Sequence, residues 1–386
     1  MLYYLIEPKD PLIIRSGRPF EEISDAQAAR FPPPSTVAGA LRNIHARSTG
    51  KTLDNKLLKL DNELLKLAVT GPLAVKRPIN GDAPSEEHIL VPKPADVQYF
   101  YDQQTQLTHL VRSKPMAFAE GEGCDLPNGL LPLFAENAPD GKPVSGPNWW
   151  SFNDLAAWRK GQSVSFERIC QNGWMPAEPD IRTHIAINNH SRNVESGKLF
   201  QTTGLSMWQQ RADHQPFPDA CVSILAGIDG DITLPLINLG GERRLAEVEA
   251  CTLWPSLPSD LAQSITKAKG FTLTFLTPVL FNSGWLPSWL NDELIGTPPC
   301  CQSLTVKLRA AALERWIPQS GWDLVNNTPR AAQKMIPAGA TYWFEIEGEA
   351  TDEDIRSLWL AHFCDDPQSN LNGFGLALPV AYQFTL

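Results

Sequence analysis

Two stretches set guanidinium groups beside glycine backbone, a pairing suited to gripping phosphate: Arg15-Ser16-Gly17-Arg18 near the start, and Gly240-Gly241-Glu242-Arg243-Arg244 past the middle. Glycine lets the main chain approach an oxyanion and present its N–H groups, while arginine adds charge and a planar fork of donors. The competing reading of Gly240-Gly241 is a plain β-turn or bulge. Ser35 and Thr36 follow three prolines and open a run with apolar side chains at Val37, Leu41 and Ile44. That pattern places hydroxyls at a helix cap, where free N–H groups favour an anion, and Arg42 rides on the same helix. Further along, Arg182 and His184 fall on the polar face of an alternating stretch, and Lys198 and Gln201 fall on the segment that returns from it.

Other residues suggest catalysis. His45 lies on the first helix and could act as a general acid or base, but no partnered base or nucleophile accompanies it, and a histidine at a helix end commonly binds carbonyls. Asp323, Glu345 and Asp352-Glu353-Asp354 could serve a sugar-acting enzyme as paired carboxylates. The last three read better as the acidic first turn of a helix. The seven cysteines show no CxxC spacing, so no structural metal is expected, and a dispersed, odd-numbered set fits free thiols in a reducing cytoplasm.

The elements that must position these groups follow from periodicity. Leu2-Tyr3-Tyr4-Leu5-Ile6 and Leu12-Ile13-Ile14 read as strand, and residues 52–69 as an amphipathic helix. Residues 76–146, rich in Pro, Gly, Asp and Asn, predict irregular segments and short strands over the surface. A capped helix is expected near Leu155 and Trp158, its tryptophans anchoring core rather than stacking on bases. Ile181-Arg182-Thr183-His184-Ile185-Ala186-Ile187 alternates as a half-buried strand, and residues 198–207 return as the second arm of a hairpin. Residues 253–269 look like a boundary. After it the second half orders as β, β, β, α, β, and its opening and its Gly373-Phe374-Gly375 ending echo the first half.

The chain has 386 residues, enough for about two domains, with an ordinary apolar share of 42%. No run approaches the roughly 18 apolar residues that span a bilayer, and no export signal is expected at the N-terminus. A net charge of −10 argues against a free-standing nucleic-acid binder but permits a local basic patch, or a place among basic neighbours.

Taken in order, Arg15-Ser16-Gly17-Arg18-Pro19-Phe20, the segment from Phe31 through Arg42, the hairpin around Arg182 and Gln201, Gly240-Gly241-Glu242-Arg243-Arg244, and Asn372-Gly373-Phe374-Gly375 resemble one family. It is the RAMP subunits of type III-B CRISPR effector (Cmr) complexes, and among them the third subunit. The resemblance implies an α+β fold of two tandem ferredoxin-like (RRM-like) domains, residues 1–255 and 270–386, with a large irregular insertion in the first. It implies contact between glycine-rich loops and the 5′ tag of a crRNA, docking to a large polymerase-like subunit and to backbone RAMP subunits, and no catalytic residue or cofactor. Arg15, Gly17, Arg18, Ser35, Thr36, Arg42, Arg182, His184, Lys198, Gln201, Gly240, Gly241, Arg243 and Arg244 are the residues expected to touch RNA. The alternative within the superfamily is a metal-independent ribonuclease that processes guide precursors.

Overall fold

In the computed structural model, which describes residues 1–14, 29–50, 62–78, 82–209, 220–323 and 328–384, strand Leu2–Pro8 sits inside an eight-stranded antiparallel sheet. In space the strands run Leu236–Asn238, Leu245–Cys251, Leu2–Pro8, Ala220–Ile228, Val69–Pro78, Ile89–Pro92 and Trp149–Ser151, with Trp208–Gln209 paired to the start of Ala220–Ile228. Side chains alternate across a strand, so Tyr4 and Ile6 face one way and Leu5 the other. The first face is covered by helix Pro34–Ser48, whose Val37, Leu41 and Ile44 pack on Tyr4, Ile6 and Ile224. Pro33 is this helix's N-cap and no side chain caps it; Ser35 and Thr36 fall in the first turn instead. Of the second helix expected over residues 52–69, residues 62–69 lie among the described ones: Asn62–Lys66 is helical, but the helix stops there and Val69 already opens a strand, so the expected end is corrected.

The other face meets the second half of the chain. Leu5, Leu73, Val75 and Leu225 share a core with Leu276, Leu376, Leu378 and Val380. That half is built on a five-stranded antiparallel sheet ordered Ile295–Gly296, Thr305–Ala312, Thr341–Glu347, Gly270–Phe275 and Ala377–Ala381. Gly270–Phe275 is buried at every position because both of its faces are covered. Helix Asp352–Arg356 starts from a capping box in which Thr351 and Asp354 exchange hydrogen bonds. Hydroxyls of Ser303 and Thr351 hold the Asp354 carboxyl far below the usual carboxylate range, so it is a structural acceptor. Glu345 lies 3.6 Å from Arg309.

The described part of residues 76–146 is more ordered than its composition suggests. Strands Leu133–Ala135, Leu107–Pro115, Val97–Asp102 and Gly141–Pro143 form a separate four-stranded sheet. Val97 and Tyr99 bury against Trp150, Trp158 and Ile169, giving the insertion its own core. The Trp150 indole N–H donates to the Tyr99 hydroxyl at 2.6 Å, so this tryptophan is a wall and not a stacking platform. All seven cysteines are free thiols. No helix among the described residues is long and apolar enough to cross a membrane.

The two halves are joined at Gly373, whose φ is +92°. A Cβ there would stand 2.3 Å from the Gly71 carbonyl oxygen, so only glycine permits the approach. Beside it, Arg42 donates to the Leu67 carbonyl at 3.1 and 2.8 Å, to the Leu371 carbonyl at 2.8 Å and to Asn372 Oδ1 at 2.5 Å. His362 Nδ1 donates to the Phe374 carbonyl at 2.8 Å, which leaves Nε2 to accept from Thr70 Oγ1 at 3.2 Å. Burial lowers the His362 pKa from its ordinary value, an effect partly offset by the Phe374 carbonyl. A depressed histidine favours the unfolded state once protons bind, so this contribution is complete above the unfolded pKa of about 6.5 and fades below it. The denaturant midpoint should therefore fall between pH 7 and 5, and more steeply than in His362→Gln; equal slopes would show that another group sets the acid limb.

Candidate nucleic-acid interface

Residues 11–14 tie together two of the elements that carry expected RNA-contacting groups, the hairpin and the double-glycine turn. Leu12 and Leu205 exchange backbone hydrogen bonds at 2.9 and 2.8 Å, which anchors the base of a hairpin formed by Asp180–Ile187 and Val194–Gly204. The Ile13 carbonyl accepts from the Gly241 N–H at 2.7 Å. Gly240 has a φ of +78°, and a Cβ there would lie 2.7 Å from the same carbonyl oxygen. The double glycine thus lets one turn sit against the segment that leads into Arg15. Arg15, Gly17 and Arg18 themselves lie outside the described residues. The described chain resumes at Ala29, and Phe31 packs on Trp149 with ring centroids 4.6 Å apart.

The turn closes through Leu239 N–H to the Arg244 carbonyl, 2.9 Å. Glu242 and Arg243 both adopt left-handed backbone, with φ of 55° and 52°. Arg243 is exposed and has no ion-pair partner among the described residues. Arg244 is less available: its Nη1 lies 3.7 Å from Asp10, its side chain is 16% exposed, and its buried Nε has no hydrogen-bond partner among the described residues. The arginine pair is divided, one side chain facing solvent and its neighbour half-buried.

The hairpin departs from expectation. The alternation of residues 181–187 predicts a half-buried face at Ile181, Ile185 and Ile187, yet these are exposed, as are Val194 and Leu199 across from them. A two-stranded ribbon standing clear of the body buries neither side, and alternation alone does not reveal whether a layer covers the apolar face. On the opposite side, His184 stacks on Phe200 at 4.9 Å and its Nε2 meets Thr202 Oγ1 at 2.8 Å. Arg182 bonds Asp180 through Nε and Nη2, each at 2.8 Å. Lys198 pairs with Glu195, and Gln201 donates to Thr183 Oγ1 at 3.3 Å. These ion pairs are exposed, and screening leaves them weak enough for phosphate to compete.

Ser35 Oγ accepts from Gln319 Nε2 of the second half at 3.3 Å, so the helix start faces a seam between halves. Arg42 requires a correction. It is 7% exposed, and its guanidinium is engaged by the carbonyls at the joint described above, so it does not reach a surface where RNA could bind. Gly373 and Gly375, the second glycine-rich ending, are likewise occupied by protein backbone. Sequence reasoning missed Asp10 and Ile13, which anchor the turn. The only signal for Ile13 was its position between a strand and a basic loop.

His45 Nδ1 donates to the Asp231 carbonyl at 2.7 Å. Among the described residues no group of three or more His, Cys, Asp or Glu side chains could hold a metal ion.

Comparison with known proteins gives three findings. The profile of a family described as CRISPR-associated protein (Cas_Cmr3) matches residues 4–381. No curated protein matches the chain. Among solved structures, the chain is similar to one in a type III-B Cmr-beta complex bound to cognate target RNA and AMPPnP, at 19% identity over 88% of this chain and 86% of that one, TM-score 0.48. A second, bound to cognate target RNA, gives 18% identity over 88% and 86%, TM-score 0.46. A Csm3–Csm4 subcomplex of the type III-A CRISPR-Cas interference complex gives 11% identity over 92% and 96%, TM-score 0.35.

Proposed function

This chain belongs to the CRISPR-associated Cas_Cmr3 family, and from that premise we propose that it is a non-catalytic subunit of a type III-B effector. In this reading it holds the 5′ tag of the crRNA, docks the large polymerase-like subunit and backbone RAMP subunits, and works in cytoplasmic antiviral defence. The observation that carries it is the convergence at residues 11–14. The Gly240-Gly241 turn with exposed Arg243 and the hairpin base both meet there, on the segment that precedes Arg15 in sequence.

Strand order supports two ferredoxin-like units. With the strands of each unit numbered along the chain, Leu245–Cys251, Leu2–Pro8, Ala220–Ile228 and Val69–Pro78 lie fourth, first, third, second. Ala377–Ala381, Gly270–Phe275, Thr341–Glu347 and Thr305–Ala312 repeat that order. It is the order of a split βαβ sheet. The exposed apolar side of the hairpin offers neighbouring subunits a surface that an isolated chain would not keep bare.

A phosphate contact at Arg243 makes a specific prediction. Each phosphate neutralised on a single strand contributes about 0.7 to the slope of log affinity against log salt. Arg243→Ala should weaken guide binding at low salt and reduce that slope by about 0.7, measured by filter binding across a salt series; an unchanged slope removes Arg243 from the interface. Catalysis is tested separately. Purified subunit without metal should leave a guide repeat intact, and cleavage abolished by His45→Ala would move the reading to the ribonuclease alternative.

A further inference from the structure

Away from that interface, the inserted sheet, helix Phe152–Arg159 and the sheet of the second half enclose a cleft of about 250 Å³. Arg112, Lys114, Arg159 and Lys160 line it together with Trp343 and Tyr382. A neighbouring cavity of about 510 Å³ shares Arg112, Trp158 and Gly161 with it and adds His109, Asn137 and Ser163. Four cations around one cleft run against the charge of a chain that is −10 overall.

The carboxylates nearby are already engaged. Asp96 binds Arg159 Nη1 at 2.9 Å and Nη2 at 2.5 Å. Glu136 pairs with Lys114. Asp102 closes its own turn, accepting from Gln104 N–H and Thr105 Oγ1 at 2.8 Å each. Arg112 and Lys160 remain. Arg112 donates Nη2 to the Trp158 carbonyl at 2.8 Å and lies 4.0 Å over the Trp158 ring, while its Nε and Nη1 have no acceptor among the described residues. Burial pulls its pKa below the ordinary value, as expected of a cation short of water. Lys160 ends the helix, exposed and without an ion-pair partner among the described residues. Behind them the buried Arg159 Nε is unpartnered.

We propose that this cleft binds a nucleotide, with its phosphate between Arg112 and Lys160 and its ribose and base in the larger cavity. A lysine without an ion-pair partner beside an arginine that keeps donors to spare suits a phosphate, which a guanidinium can grip in bidentate fashion. Two adjacent cavities that share Trp158 on their wall suit a mononucleotide better than a bare oxyanion. The same chemistry is offered by a free nucleotide and by one unit of an RNA strand.

Equilibrium dialysis of the full chain against labelled AMP, and in parallel against a labelled tetra-adenylate, tests the site. Saturable binding of at least one is expected, displaced by inorganic phosphate. Lys160→Glu, and Arg112→Lys, which keeps charge but loses the fork, should each weaken it about tenfold or more. Lys160 is exposed, so its variant should melt as the parent does and report on binding alone. If the tetramer binds no tighter than AMP, the ligand is the free nucleotide; if it binds at least about tenfold tighter with the same sensitivity to both variants, the ligand is a strand. No binding of either, or binding that Lys160→Glu leaves unchanged, overturns the proposal.

Discussion

Asp96→Ala should lower the unfolding free energy by about 3–5 kcal/mol, the range for stripping one partner from a buried ion pair. The Asp96 and Arg159 side chains are only 1% and 4% exposed, so water does not substitute for the lost carboxylate. Arg159 would keep a hydrogen bond to Thr341 Oγ1 at 2.7 Å, but its charge would stand uncompensated, and the Trp158 indole N–H would lose its acceptor at 3.3 Å. Asp96 belongs to the insertion, Arg159 to the helix and Thr341 to the second half, so the loss spreads across three elements. Urea denaturation should show a lower midpoint with little change in slope. Adding Arg159→Met should recover much of the loss, because removing both charges leaves no orphan. A single-variant effect below about 1 kcal/mol would mean that water reaches the pair and that burial is not what sets its strength.

How far the chain could be read without coordinates depended on whether a signal was local. Apolar spacing at Val37, Leu41 and Ile44 is enough to build helix Pro34–Ser48, and the unbroken apolar run Leu2-Tyr3-Tyr4-Leu5-Ile6 follows from a strand covered on both faces. The approach of Gly240-Gly241 to Ile13 joins positions far apart in sequence, and nothing near either one announces it. Arg42 shows the same limit from the other side. An arginine on a helix beside a basic loop looks like a phosphate contact, yet its acceptors come from residues 67, 371 and 372. The insertion was hidden by its short edge strands of three residues each, Leu133–Ala135 and Gly141–Pro143, which carry too few positions for a period to register. The hairpin was legible as a hairpin but not as a free-standing one, because exposure is a property of what packs above a strand and not of the strand itself.

Gly373→Ala should cost about 3 kcal/mol or more, and should cost it at the joint between halves. Two effects add at this position. A side chain at a φ of +92° strains the backbone by about 1–3 kcal/mol. In addition, the new methyl group would stand 2.3 Å from the Gly71 carbonyl oxygen and 3.3 Å from that of Val69, and both belong to strand backbone that cannot rotate away. Gly284→Ala separates the two effects. Its φ is +80°, but nothing lies within 4 Å of the added carbon, so only the conformational part should appear, about 1 kcal/mol. Because Arg42, Thr70 and His362 tie the same joint, opening it at Gly373 should let the halves melt in two steps where the parent melts in one, as calorimetry would show. Arg42→Ala leaves the Leu67 and Leu371 carbonyls without donors and should push in the same direction, less than additively with Gly373→Ala since both act on one contact. Equal losses in Gly373→Ala and Gly284→Ala would show that the close approach of Gly71 is incidental and that the halves are held by their shared apolar core alone.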